Sequence, residues 1–207
     1  MKKLSTLIVI LLVCSTFFLS QCSDNKTGGT SNQKDTVLVA SLANGGYESQ
    51  AKWGEHLVMI GACGDCHTPK KMGPMGPVED SALLLSGHPA KMPPPDVDRV
   101  SMESKGLVVT QSLTAWIGPW GISYSANLTS DDSGIGTWNE EQFIYALRNG
   151  KYKGLPGSRP LLPPMPWPAI RNHTDDELKA IFAYLKSTKP INNMVPPPAP
   201  PVSIPRS

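Results

Sequence analysis

The sequence predicts a mainly α-helical domain interrupted by a long irregular insertion. Segments beginning near Tyr47, Thr137 and Thr174 space their apolar side chains at the helical period, the last two behind a capping residue. Between Thr68 and Gly136 that period lapses. With 18 glycines and 21 prolines in 207 residues, long irregular connections are expected.

In "YESQAKWGEHLVMIGA", Trp53, Leu57, Ile60 and Gly61 share one helical face, with Gly54 among them. Glycine inside a helix costs about 1 kcal/mol relative to alanine, so Gly54 implies close approach of another helix. Met59 reads as a core side chain, and His56, opposite Trp53, as a solvated one. "TWNEEQFIYALRNG" predicts a helix with Thr137 as N-cap, Glu140 three residues on, Phe143, Ala146 and Leu147 facing inward, and a stop at Gly150. "TDDELKAIFAYLKS" repeats the arrangement with Thr174 and Glu177, and its apolar face is Leu178, Ile181, Phe182 and Leu185. Inside the insertion, "GLVVTQSLTAWIGPWGISYSANL" suits a β-hairpin turning near Gly118-Pro119 or Gly121.

The ends differ from the middle. Residues 1–21 hold Lys2 and Lys3, which account for the net charge of +2, and then an apolar run from Leu4 to Leu19. This reads as a secretory signal, shorter than a membrane-spanning helix needs. It ends in "LSQC", similar to the lipobox of bacterial lipoproteins, with Cys22 as the residue to be lipidated; Gln21 departs from the small residue that pattern prefers. An uncleaved anchor and ordinary cleavage nearby are the alternatives. Residues 22–46 are polar and small, and as a flexible tether they would span about 27 Å. A domain over 47–190 follows, then a proline-rich tail over 191–207 expected to be extended and without tertiary structure of its own. The balanced charge of the mature chain offers no basic face for nucleic acid.

Residues 63–67 read "CGDCH", and Cys63 and Cys66 are the only cysteines after Cys22. A disulfide closing so short a loop stabilises little. A redox dithiol needs no adjacent histidine and follows a strand in an α/β pattern, absent here. A zinc site would want a second ligand pair. Covalent haem attachment uses all three residues: each thiol adds to a vinyl group, and His67 is carried under the iron.

These residues carry a family resemblance. "GEHLVMIGACGDCHTP" resembles the first helix and haem-binding turn of class I c-type cytochromes, and "ANLTSDDSGIGTW", "LLPPMPWP" and "DELKAIFAYLKSTKP" resemble later segments of a periplasmic subgroup. That subgroup includes the cytochrome subunits of membrane-associated dehydrogenases, which carry three haems; this chain has one CxxCH motif and corresponds to a single such domain over about residues 47–195. The resemblance implies the class I cytochrome c fold. It also implies a crossing of the first and last helices in which Gly54 meets Phe182 or Tyr184. For the second ring nitrogen of His67 it implies a backbone acceptor at Pro74 or Pro77.

The sixth iron ligand decides between electron transfer and an open site. Met165 in "LLPPMPWPAI" is held between prolines, nine residues before Thr174, where the family keeps its methionine loop. Met92 in "KMPPPD" and His88 in "LSGHPA" are its rivals, while Met72, Met75 and Met102 lie in polar or glycine-rich stretches. Trp138, Trp167, Arg148 and Arg171 are candidates to bind haem propionates. The expectation is a lipid-anchored monohaem cytochrome in the periplasm of a bacterial cell envelope. It would carry one electron at a time between a dehydrogenase or quinol-oxidising complex and a terminal acceptor such as an oxidase, with no chemistry on a substrate. The alternative is a haem enzyme or gas sensor with an open sixth position, in which His88 and Arg148 would be the distal groups.

Overall fold

The structure, a computed structural model, describes residues 43–202. The expected signal, Cys22 and the tether as far as residue 42 lie outside the described residues. Helix α1 (Gln50–Ile60) begins where Ser49 accepts from the Lys52 N–H, and passes through a left-handed Ala62 into the short α2 (Cys63–His67). After the insertion come α4 (Glu140–Asn149), the single turn α5 (Trp167–Ile170) and α6 (Asp175–Ser187). Among the described residues, no helix is long and apolar enough to cross a membrane.

Helix α6 starts at the Thr174–Glu177 capping box read from the sequence, and Asp175, Asp176 and Glu177 place negative charge on its first turn. The cap of α4 lies elsewhere than expected. Trp138 N–H is engaged by the Ile135 carbonyl in a turn, so the helix begins at Asn139, which forms its capping box with Gln142 instead of Thr137 with Glu140. Asparagine serves this position at least as well as threonine.

The core gathers Leu57 and Val58 of α1, Phe143 and Leu147 of α4, and Leu178, Ile181, Phe182 and Leu185 of α6, together with Leu85 and Ile135 from the insertion. Met59 and Ile60 stand outside it, 69% and 63% exposed, contrary to expectation. The buried stripe of α1 runs through Gly54, Leu57 and Val58, and both residues fall beside that i, i+3, i+4 row. At the α1–α6 crossing, a Cβ on Gly54 would sit 1.8 Å from the Ala180 carbonyl oxygen and 2.9 Å from Tyr184 Cβ. Tyr184 thus contributes, but the closest approach is backbone, and Phe182 turns instead to the Phe143 ring at 5.2 Å.

The insertion is more regular than its sequence suggested. Strands β1 (Lys70–Gly73) and β2 (Gly76–Glu79) form a solvent-exposed hairpin. A one-and-a-half-turn helix α3 (Arg99–Ser104) is capped by Asp98. Strands β3 (Val109–Gln111), β4 (Ala115–Gly118) and β5 (Gly121–Tyr124) make an antiparallel sheet in that order, with Trp116 opposite Ser123 and Ile117 opposite Ile122. The β4–β5 turn falls at Gly118–Gly121, where Gly121 takes a φ of 96°.

The proline-rich tail is extended but docked. Ala199 exchanges two backbone hydrogen bonds with Ile122, at 2.9 and 3.1 Å, on the free edge of β5. Val202 N–H donates to Glu103 Oε2 at 2.7 Å, and Arg99 Nη2 donates to the Pro200 carbonyl at 2.7 Å. From 196 to 202 only Ala199 and Val202 are not proline, and both of their N–H groups are used.

Gly54→Ala should be destabilising by about 1–3 kcal/mol, the usual cost of overpacking. Thermal unfolding should show its Tm several degrees below the parent, whereas Gly157→Ala, where an added Cβ meets nothing within 4 Å, should leave Tm unchanged.

Candidate functional site

Helix α2 places Cys63 and Cys66 one turn apart, both half-buried and both free thiols. Burial pushes the Cys63 thiol up to about 11, and Cys66 shifts in the same direction for the same reason. His67 closes the helix and is itself buried. Its Nδ1 lies 2.8 Å from the Ala126 carbonyl. A carbonyl can only accept, so Nδ1 carries the hydrogen; burial lowers the pKa of the ring and keeps it neutral. The lone pair therefore resides on Nε2, for which no hydrogen-bond partner occurs among the described residues.

Ala126 does what was expected of Pro74 or Pro77. The β1–β2 hairpin carries those two prolines out into solvent, with Met75 at its tip fully exposed. The acceptor is held by a ladder between the segments following α2 and β5. His88 N–H donates to the Ser125 carbonyl at 3.0 Å and Leu128 N–H to the Leu85 carbonyl at 2.8 Å. Gly87 N–H donates to the His67 carbonyl at 2.7 Å. Gly87 has a φ of 77°, and a Cβ there would lie 2.6 Å from the Ala126 carbonyl carbon and oxygen. Lys70 Nζ caps the end of α2 by donating to the carbonyls of Asp65 and Thr68 at 2.8 and 2.7 Å.

Met165 is half-buried against the hydrophobic core, as are Cys63, Leu128 and Trp138. The other candidates are engaged elsewhere or exposed. His88 is buried, with Nε2–H donating to the Met92 carbonyl at 2.9 Å and Nδ1 3.0 Å from the Thr114 hydroxyl. Met92 Sδ lies 3.9 Å from the Ser112 hydroxyl. Met59, Met72, Met75 and Met194 are exposed.

Of the expected propionate partners, Arg148 is occupied by the Arg171 carbonyl and by Asp175, the latter at 2.6 Å. Arg171 is exposed beside the Trp167 ring. Trp138 and Trp167 keep indole N–H groups without partners among the described residues. His56 is half-buried beside the Tyr47 ring, and His173 pairs with Glu177 at 3.4 Å.

The segment quoted above for the family resemblance supplies a polar turn directly after Ala126. Asn127 Oδ1 accepts from the N–H and hydroxyl of Thr129, while its Nδ2 reaches the Ile191 carbonyl at 2.8 Å. Asn193 joins this network, its N–H reaching the Ser133 hydroxyl that Asn127 Nδ2 also reaches, while Ser123 bonds separately to the Pro163 carbonyl. The Asn-x-Thr spacing of 127–129 is a visible turn signal; the backbone acceptor at Ala126 has none.

Two free thiols on one helical turn, a neutral imidazole with an unclaimed Nε2 and a thioether at the core's edge fit a covalently held haem. Among the described residues no group of three or more His, Cys, Asp or Glu side chains gathers to hold a metal ion. No family model matches the chain. It is 37% identical to the gluconate 2-dehydrogenase cytochrome c subunit of Pantoea cypripedii over 151 residues, 72% of this chain and 26% of that protein. The chain is homologous to the cytochrome c subunits of dehydrogenases. The fructose dehydrogenase cytochrome subunit of Gluconobacter japonicus is 40% identical over 76 residues, 36% of this chain and 15% of that subunit. The cytochrome c subunit of the quinone-dependent alcohol dehydrogenase of Gluconobacter oxydans is 36% identical over 75 residues, 35% of this chain and 15% of the relative. The chain thus spans about a quarter or less of the length of these cytochrome-subunit relatives.

Gly87→Ala should pay for both the left-handed backbone, about 1–2 kcal/mol, and the collision with Ala126. Gly106→Ala has a comparable φ of 68° and open space around it, so it should lose only the first. Denaturant unfolding should rank the loss at Gly87 clearly above that at Gly106; equal losses would mean that Gly87 does not brace the Ala126 carbonyl.

Proposed function

We propose that this chain is a monohaem c-type cytochrome of class I fold that accepts electrons from a dehydrogenase and passes them on singly. The observation that carries the reading is the buried His67, its Nδ1–H committed to the Ala126 carbonyl and its Nε2 left as a lone-pair donor beside two free thiols. The kinship with dehydrogenase cytochrome subunits supports the source of the electrons. The α1–α6 crossing, with α2 directly after α1, supports the fold.

Haem c, when bound, supplies the one-electron iron couple. The chain supplies the rest. Cys63 and Cys66 would hold the haem through thioether links, and His67 Nε2 and Met165 Sδ would hold its iron. The Ala126 carbonyl fixes the tautomer of His67 and raises its basicity. A thioether ligand such as Met165 would raise the potential. Leu128 and Trp138 at the core's edge keep water from the site, and the indole N–H of Trp138 is available to a propionate. The distal pair of an open-site enzyme is missing from this reading because His88 and Arg148 are both engaged elsewhere. Cys22 carries lipid, and the domain faces the periplasm from the membrane that holds it.

Expressed alongside a cytochrome c maturation system, the protein should keep its haem through denaturation, and Cys63→Ser with Cys66→Ser should lose it. The reduced parent should leave its spectrum unchanged under carbon monoxide. Met165→Ala should bind the gas and show a lower midpoint potential; a parental spectrum and potential in that variant would overturn the ligand assignment. Labelled lipid precursor should enter the parent and not Cys22→Ser, and equal incorporation would exclude that attachment site.

A further inference from the structure

The Met165 loop is tied to the insertion by one buried side chain. Ser123, at the centre of β5 and 5% exposed, donates its hydroxyl to the Pro163 carbonyl at 2.6 Å. The same oxygen accepts from Trp120 Nε1 at 3.0 Å, so both of its hydrogen-bonding roles are filled. Pro163 lies two residues before Met165, inside the turn closed by the Met165 N–H to the Leu162 carbonyl at 3.2 Å. The backbone under Ser123 cannot readily move. It lies opposite Trp116 in the β4–β5 ladder, and Ala199 of the tail pairs with the neighbouring Ile122 from the other side. A Cβ on Gly121 would sit 2.1 Å from the Ala199 carbonyl, which shows how closely the tail is pressed to that edge.

Three residues further along the same chain segment, the Ala126 carbonyl holds His67. One short run of chain, 121–126, thus reaches both the Met165 loop and His67. An extended chain advances at most about 3.3–3.6 Å per residue, so the Cα atoms of Ser123 and Ala126 are about 11 Å apart at most. We infer that Ser123 is a positioning residue: through its hydrogen bond to Pro163 it holds the Met165 loop in register with His67, which the same segment fixes through Ala126. The insertion would then set the strength of the methionine–iron bond as well as supporting the imidazole. This rests on Met165 and His67 being the axial ligands.

Added imidazole competes with the methionine for ferric iron, so its apparent affinity reads how firmly the loop is held. Losing the hydrogen bond from the buried Ser123 hydroxyl to the Pro163 carbonyl should let imidazole bind about five- to tenfold more tightly to Ser123→Ala. The sulfur-to-iron charge-transfer band in the far red should weaken in parallel and the midpoint potential should fall. Trp120→Phe removes the other bond of the Ser123 hydroxyl and spares its donation to Pro163. It should keep parental imidazole affinity and band even where its Tm drops, and Ser123→Thr, which restores the hydroxyl, should do the same. If Ser123→Ala lowers Tm while imidazole affinity, band and potential stay parental, or if Trp120→Phe shifts them equally, the positioning role is wrong. Met165→Ala measured beside them separates this from failure of the ligand assignment: only the latter leaves Met165→Ala with the parental far-red band.

Discussion

The hydrogen bond from His67 Nδ1 to the Ala126 carbonyl is the constraint on which the site's geometry turns. It decides the tautomer, since a carbonyl accepts and never donates, and so assigns the free lone pair to Nε2. It also couples the cysteine motif to a part of the chain 59 residues away. An imidazole at the end of a five-residue helix could otherwise rotate about its side-chain bonds. Burial of the ring removes water as a competing partner, so this single acceptor sets its orientation.

From that bond the purpose of the insertion becomes physical. To the helical core cluster it adds chiefly Leu85 and Ile135, while Ala115, Trp116, Ile117 and Ile122 are buried in its own sheet. Its polar contribution is large: a ladder between 85–88 and 125–128, the Asn127–Thr129 turn, the His88–Thr114 pair and the Ser123 hydroxyl are all partnered, and most of these residues are buried. No buried side-chain nitrogen or oxygen among the described residues lacks a hydrogen bond. Such a network, once satisfied, allows few alternative arrangements, because breaking any one bond strands a polar group in a low dielectric. Apolar packing alone would tolerate sliding. An irregular segment that must hold two side chains in a set relation gains definition from directional bonds instead.

What the sequence made legible follows from the range of the forces involved. The helix leading into CGDCH and the Thr174 capping box depend on neighbours within a few positions, and each could be read directly. The cap of α4 was misplaced by two residues because Thr137 and Asn139 both have capping chemistry, and only the Ile135–Trp138 turn chooses between them. Met59 and Ile60 could not be told from core residues, since an apolar residue one step off a buried stripe has the same composition as one on it. The β1–β2 hairpin, built on Gly73-Pro74-Met75-Gly76, is only four residues per strand and outward-facing, so it carries no alternation of polar and apolar residues. Ala126, Ser123 and Asn193 act at separations of 59, 40 and 107 residues. Nothing local marks them.

The tail shows the same logic at its limit. Asn193 spends its whole amide on one segment: Nδ2 donates to the Ser86 and His88 carbonyls at 2.7 and 2.9 Å, and Oδ1 accepts from Ala90 N–H at 2.9 Å. Its own N–H reaches the Ser133 hydroxyl, at 2.9 Å, which in turn is bound by Asn127. A proline-rich chain can offer few donors, and this tail places those it has where backbone groups of 86–90 and 122 and the carboxylate of Glu103 would otherwise need another partner or water. Proline also costs little entropy to fix in an extended form, which suits a strap that must lie flat over a finished domain. The composition that reads as a disordered end is therefore compatible with docking. What decides the outcome is whether the surface beneath presents carbonyls and carboxylates at the spacing of the few remaining N–H groups, and here β5 and Glu103 do.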